Sequence, residues 1–223
     1  CVELPLQDDV DAFLPPRDVN WHAALDPSRP MAIDPLTGGA GGPGPSLFVR
    51  YRKGQCAGMQ NALAAIEAAH EDWARVVGRR HAPLVERYRM DDAEVALVTL
   101  GSMTGAGKDA VDEARDRGQR VGLVKVKTYR PFPVQAIAAA LNGLKAVGVV
   151  DRSVSFGWNS GPLFQDVIGA LQFAPQRPAA MSFIGGLAGA DITTDHFGRA
   201  IERVQALAQD GQVGETVWLN EKD

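Results

Sequence analysis

Residues 94–133, EVALVTLGSMTGAGKDAVDEARDRGQRVGLVKVKTYRPFP, decide the fold of this chain. They read as a short apolar run, a glycine-rich turn, a helix ending at Gly118, a second apolar run and a proline-stiffened turn. That succession predicts one parallel βαβ unit, with strands over 94–100 and 121–128 and a helix over about 107–117. Its geometry puts the loops carrying Ser102 and Arg130 at the C-terminal edge of the sheet, where open α/β sheets receive ligands.

Working outward, the same alternation continues to the C-terminus. Further strands are predicted over 146–150, 181–184 and 216–219, with helices over 134–141, 162–171 and 194–209. The fold class expected is α/β: a doubly wound, mostly parallel five-stranded sheet, the last strand an antiparallel edge.

Upstream, Leu47, Tyr51, Leu63, Ile66, Trp73 and Val77 fall at helical spacing and predict a long helix stopped by Gly78. Gly54 and Gly58 inside it imply either a close approach of another backbone or frayed first turns. Residues 1–46 are punctuated by prolines and end in GGAGGPGP, which predicts an extended arm or linker. Phe13, Leu14, Trp21 and Leu25 are apolar anchors there that need a packing partner. The expected division is an arm over 1–46 and an α/β domain over 47–223.

Composition excludes several function classes. A net charge of −4 with scattered basic residues argues against nucleic acid as a partner. No run reaches the ~20 apolar residues of a membrane span, and no signal segment opens the chain, so a cytoplasmic location is expected. Only Cys1 and Cys56 are present, too few for an iron–sulfur cluster or a Cys-x-x-Cys redox pair. Cys56 is expected to be a plain buried or half-buried thiol, and His70 a structural histidine rather than a metal ligand. Beginning on Cys rather than Met suggests a fragment or processed piece.

Four residues are candidate contacts for a ligand or a neighbouring domain: Ser102, Thr104, Arg130 and Arg152. The turn 101–108, GSMTGAGK, misses the phosphate-loop spacing, and Asp109 follows its lysine. Asp109, Asp112 and Glu113 are expected in the first turns of the helix, complementing its dipole and repelling phosphate. Ser102 or Thr104 is expected to cap that helix. Pro131 and Pro133 hold Arg130 and Phe132 in one presentation, and Arg152 ends the third strand at the same edge, available to an acidic group. Thr193 or Thr194 is expected to cap the last helix. Asp195 and His196 stand there without a serine or cysteine nucleophile, which disfavours a hydrolytic triad.

The ordered blocks VELP, DAFLPP, ALDPSRPMAI, VGRR, LVERYRMDDAEVALVTLGSMTG, VGLVKVKTYRPFP, VGVVDRSVSFGWNSGPLFQDV and GGLAGADIT cover nearly the whole chain. Together they resemble the alpha subunit, or alpha region, of 2-oxoacid:ferredoxin oxidoreductases of the pyruvate synthase type. The resemblance implies a domain like the transketolase C-terminal domain, in a complex that oxidatively decarboxylates a 2-oxoacid to an acyl-coenzyme A. It implies thiamine diphosphate, magnesium and iron–sulfur clusters in the complete complex, none of them bound by this chain alone. The implied partners are an upstream pyrimidine-binding domain, a beta subunit and a ferredoxin-like subunit or domain. No Gly-Asp-Gly with a downstream Asn stands in this sequence, so no catalytic residue and no metal ligand is carried over. Ala188 and Ala190 stand where the family leads one to expect Gly and Arg. The alternative expectation is a stand-alone α/β module binding a nucleotide or coenzyme A through the Ser102, Arg130 and Arg152 loops.

Overall fold

A computed structural model describes residues 4–14, 16 and 45–221, in two compact units, Cys1–His81 and Ala82–Asp223. The division falls after the long helix, where the sequence had placed it before.

In the first unit, helix α1 (Gln7–Phe13) lies within the stretch expected to be extended. Helix α2 (Pro45–Val77) is the predicted long helix, stopped by Gly78 in a left-handed conformation. The Phe13 ring meets Trp73 edge to face at 5.2 Å, giving that anchor its partner, while Leu14 stays exposed. Trp21, Leu25 and the GGAGGPGP segment up to Gly44 lie outside the described residues. Gly54 and Gly58 face open space, so no backbone approaches them closely among the described residues. Cys56 is exposed, not buried as expected, because no described residue covers the helix around it. The His70 ring donates from Nδ1 to the Ile66 carbonyl at 2.8 Å, one turn back along α2.

The second unit is a doubly wound α/β sheet of six strands in the order β1-β3-β2-β4-β5-β6. These are β1 (Val85–Tyr88), β2 (Val95–Leu100), β3 (Val121–Val126), β4 (Ala146–Asp151), β5 (Ala179–Ile184) and β6 (Val217–Trp218). Strands β2 to β6 are mutually parallel. The antiparallel edge is β1, paired with β3 from Val85↔Val126 to Tyr88↔Leu123. The sequence had placed an antiparallel edge at the last strand. Strand β6 instead runs parallel to β5.

Central strands read as unbroken apolar runs because both faces are covered. Every residue of β4 is buried, as are the first five of β2. Helices α3 (Thr104–Asp116) and α6 (Thr194–Asp210) cover one face, where Leu97, Leu123, Phe183 and Phe197 form the core. Helices α4 (Val134–Leu141) and α5 (Pro162–Leu171) cover the other, over Val98, Val124, Val149 and Leu163. Gly148, mid-β4, is where a helix and two strands converge. A Cβ there would stand 2.5 Å from Val204 Cγ2 and 2.7 Å from the Phe183 ring.

Helix α3 begins three residues before the expected Gly107. Glycines at 105 and 107 read as a turn, yet Gly107 is helical and buried, since a Cβ would sit 2.9 Å from Leu123 Cδ1 and 3.3 Å from the Phe197 ring. The glycine serves close packing of α3 on the sheet. Asp109, Asp112 and Glu113 therefore lie beyond the first turn, which holds no acidic residue.

Candidate functional site

The chain leaves β2 toward β3 on one side and reaches β4 on the other, so the direction of winding reverses between β2 and β4. At such a reversal the loops at the strand C-termini part and leave a crevice. Gly101, Ser102 and Met103 border it from β2, and the segment after Asp151 borders it from β4. The loop after β3 carries Arg130 along the same edge.

Asp151 organises this edge. It is the last residue of β4, only 5% exposed. Its two carboxylate oxygens accept the backbone N–H groups of Leu163 and Phe164, each at 3.0 Å. Gly161 is the N-cap of α5 and has no side chain to cap with, so a carboxylate from a neighbouring strand performs the task. A Cβ on Gly161 would fall 2.0 Å from that carboxyl group. Burial pushes the Asp151 carboxyl up from 3.8 to about 6, against the two backbone donors and with the help of nearby Asp166.

Arg130 is committed to the same network. Its guanidinium donates to Asp166 of α5 and to the Tyr129 carbonyl, both at 2.8 Å, and stacks over the Tyr129 ring at 4.2 Å. The Arg130–Pro131 peptide is cis. Burial, then a hydrogen bond to Asp166, raises the Tyr129 hydroxyl above its ordinary value. Arg152 meets no carboxylate among the described residues; it donates from Nε and Nη2 to the Gly186 carbonyl at 3.3 and 3.2 Å. It thereby joins the β4 loop to the β5 loop.

Ser102 is exposed at the crevice, whereas Thr104 is buried and spent on the turn. The Thr104 hydroxyl donates to the Gly101 carbonyl at 2.8 Å and lies 3.0 Å from the Thr99 hydroxyl. Neither residue caps α3: Met103 holds the N-cap position, with no side-chain cap bond. At α6, Thr193 is the N-cap in a capping box with His196, whose Nδ1 accepts the Thr193 N–H at 3.1 Å. His196 is thus part of a helix start.

Ser102, Arg130 and Arg152 follow β2, β3 and β4 at one edge of the sheet, and Thr104 is buried at the start of α3 behind Ser102. Asp151 and Asp166, which hold the loops in place, were not singled out from sequence. The signal was a Gly-Pro helix start lacking a capping residue, with an aspartate closing the preceding strand. Among the described residues no three His, Cys, Asp or Glu side chains converge as metal ligands do. Also among them, no helix is long and apolar enough to cross a membrane.

Residues 93–197 match the model of the pyruvate:ferredoxin oxidoreductase core domain II. The chain is 60% identical, over 100% of its length and 54% of the relative's, to the NADH-dependent phenylglyoxylate dehydrogenase subunit alpha of Aromatoleum evansii. It is 34% identical, over 97% of its length and 52% of the relative's, to pyruvate synthase subunit PorA of Methanosarcina barkeri. The chain thus spans about half the length of these curated relatives. Among solved structures, a transketolase from Leishmania mexicana aligns with 70% of this chain and 28% of its own at 19% identity and a TM-score of 0.34, too loose to bear on function. The α/β unit of this chain thus carries the match to the pyruvate:ferredoxin oxidoreductase core domain II, in a chain similar along its length to a phenylglyoxylate dehydrogenase alpha subunit and to a pyruvate synthase PorA subunit.

Proposed function

We propose that this chain is a non-catalytic, structure-giving part of a cytoplasmic 2-oxoacid oxidoreductase complex. What carries the proposal is its 60% identity, end to end, with a phenylglyoxylate dehydrogenase alpha subunit. The identity to the pyruvate synthase subunit is far lower, at 34%, which favours an aryl 2-oxoacid such as phenylglyoxylate over pyruvate as substrate of the complex. Thiamine diphosphate, held elsewhere in the complex, supplies the electron sink for decarboxylation, and coenzyme A receives the acyl group. Electrons leave through iron–sulfur clusters held outside residues 1–223, where Cys1 and Cys56 alone cannot hold one.

The residues of this chain position rather than react. Asp151 and Asp166 fix the start of α5, Arg130 is held over Tyr129, and Arg152 ties two loops together at the crevice. Ser102, Arg130 and Arg152 form the face that meets coenzyme A or the neighbouring subunit, with Thr104 shaping the turn beneath Ser102.

The test is to express the full-length protein with its genomic neighbours, purify the complex and assay coenzyme A-dependent 2-oxoacid oxidation. The expected result is a kcat/KM at least 10-fold higher for phenylglyoxylate than for pyruvate, about 1.4 kcal/mol of discrimination. A complex that contains this chain and oxidises no 2-oxoacid overturns the proposal. Arg130→Ala in that complex is expected to raise the KM for coenzyme A or lower the yield of assembled enzyme. Folding should change by no more than about 1 kcal/mol, because the Arg130–Asp166 pair is half exposed. Unchanged assembly together with an unchanged coenzyme A dependence would sink the role given to Arg130.

A further inference from the structure

The β6 edge of the sheet, with the outer part of the loop after β4, carries a surface whose exposed side chains the network above leaves unused. Strand β6 is two residues long, and Trp218 lines a groove on either side of itself. The larger, about 510 Å³, is floored by Met181 and Ser182 of β5 and walled by Phe164, Trp158 and the segment 213–216. The Thr216 hydroxyl donates to the Asn159 carbonyl and ties its two walls together. The smaller, about 350 Å³, runs along Ile184, Leu187, Ala190 and Glu221.

Three properties of this surface point to one kind of occupant. First, it is apolar where an isolated subunit gains nothing from being so. Trp158 is 76% exposed, Val213 60% and Trp218 41%, and Phe156, on the same loop as Trp158, is 94% exposed. Clusters of large exposed side chains mark interaction sites, and tryptophans dominate binding energy in them. Second, its rim is acidic. Glu215 lines one groove and Glu221 the other, and among the described residues no lysine or arginine lines either and neither carboxylate has an ion-pair partner. Asp191, whose backbone carbonyl accepts from Asn220 beside the smaller groove, adds a third exposed carboxylate. Third, its floor is close-packed and partly polar: Met181 and Ser182 are 7% and 5% exposed, so the grooves have a firm base against which a side chain can seat.

We propose that the paired grooves seat a polypeptide segment of a partner subunit, with an aromatic or aliphatic anchor on Trp158 and Trp218 and lysine or arginine facing Glu215 and Glu221. Two grooves sharing one tryptophan suit an elongated chain better than a compact small molecule. The proposal rests on the reading that this chain works inside a multi-subunit oxidoreductase.

The experiment places p-benzoylphenylalanine at position 158 in the full-length protein, co-expressed with its genomic neighbours. The purified complex is irradiated and the cross-linked peptide mapped by mass spectrometry. The expected peptide comes from a different subunit and carries Lys or Arg within a few residues of an apolar anchor. In parallel, Trp158→Ala and Glu215→Lys should each weaken retention of that subunit at least 10-fold on dilution, with circular dichroism and the unfolding midpoint unchanged. Cross-links confined to this chain or to a second copy of it overturn the proposal. Wild-type retention in both variants overturns it as well, while 2-oxoacid oxidation by the same complex leaves the functional reading standing. A wild-type chain that joins no complex overturns both.

Discussion

Phe197→Ala should lower the free energy of unfolding by about 3 to 5 kcal/mol, the range for deleting a fully buried phenyl ring. The ring has no solvent exposure and sits where α6 meets α3, its edge pressed against the position a Gly107 side chain would occupy. Neighbours on the sheet, Leu123 among them, are themselves fixed and cannot collapse into the space. For a chain of this size the loss corresponds to a fall in Tm of roughly 6 to 20 °C. Urea denaturation of the two proteins checks it, and a loss below about 1 kcal/mol would mean the α3–α6 seam repacks freely. The reverse experiment belongs with it. Gly148→Ala adds a methyl group where Val204 and Phe183 already crowd, and should cost about 1 to 3 kcal/mol. Adding Val204→Ala to Gly148→Ala should cost less than the two single losses summed, since the second change opens room for the first.

The second large effect is a dependence on pH set by Asp151. Its carboxyl titrates near 6 in the folded chain and near 3.8 when unfolded, because the fold removes it from water. Between those values the folded state holds the extra proton, so stability falls as pH rises from about 4 to about 6 and is level above. A displacement of about two pH units is worth about 3 kcal/mol at full ionisation. Asp151→Asn removes the titration. Its stability relative to the parent chain should therefore rise by about that amount between pH 4 and pH 7, offset by the backbone donor that an amide nitrogen cannot satisfy. Parallel unfolding curves for the two proteins across that range would contradict the assignment.

Much of the α/β unit was legible in sequence because its central strands are buried on both faces and its helices are amphipathic. Helices α4 and α5 lie where the apolar spacing put them, and Thr193 caps α6 as its position suggested. Strand β1 was missed for a physical reason. Four residues, VERY, carry two charges and are only partly buried: Val85 and Tyr88 pack on the margins of the two cores, while Glu86 bonds to Lys108 of α3 and the Tyr88 hydroxyl donates to Asp112 at 2.5 Å. The start of α3 was misplaced because a glycine demanded by packing looks the same in sequence as a glycine demanded by a turn. At the candidate site, the loops carrying Ser102, Arg130 and Arg152 could be placed on one edge from topology alone. That Arg152 would meet a carbonyl, and that Asp151 would cap a helix twelve residues on, depends on how β4, α5 and the β5 loop come together in space.

The two outer strands bear on what the sheet can add to itself. A sheet edge is a template on which any extended chain can add itself, and that hazard lasts as long as the edge is open. Strand β1 is short and its Glu86 and Arg87 are charged, while β6 offers only two residues of pairing surface. Neither end gives a stray strand enough length to grip. Self-association into aggregates is thereby discouraged at the backbone, and recognition is left to side chains, where it can be selective.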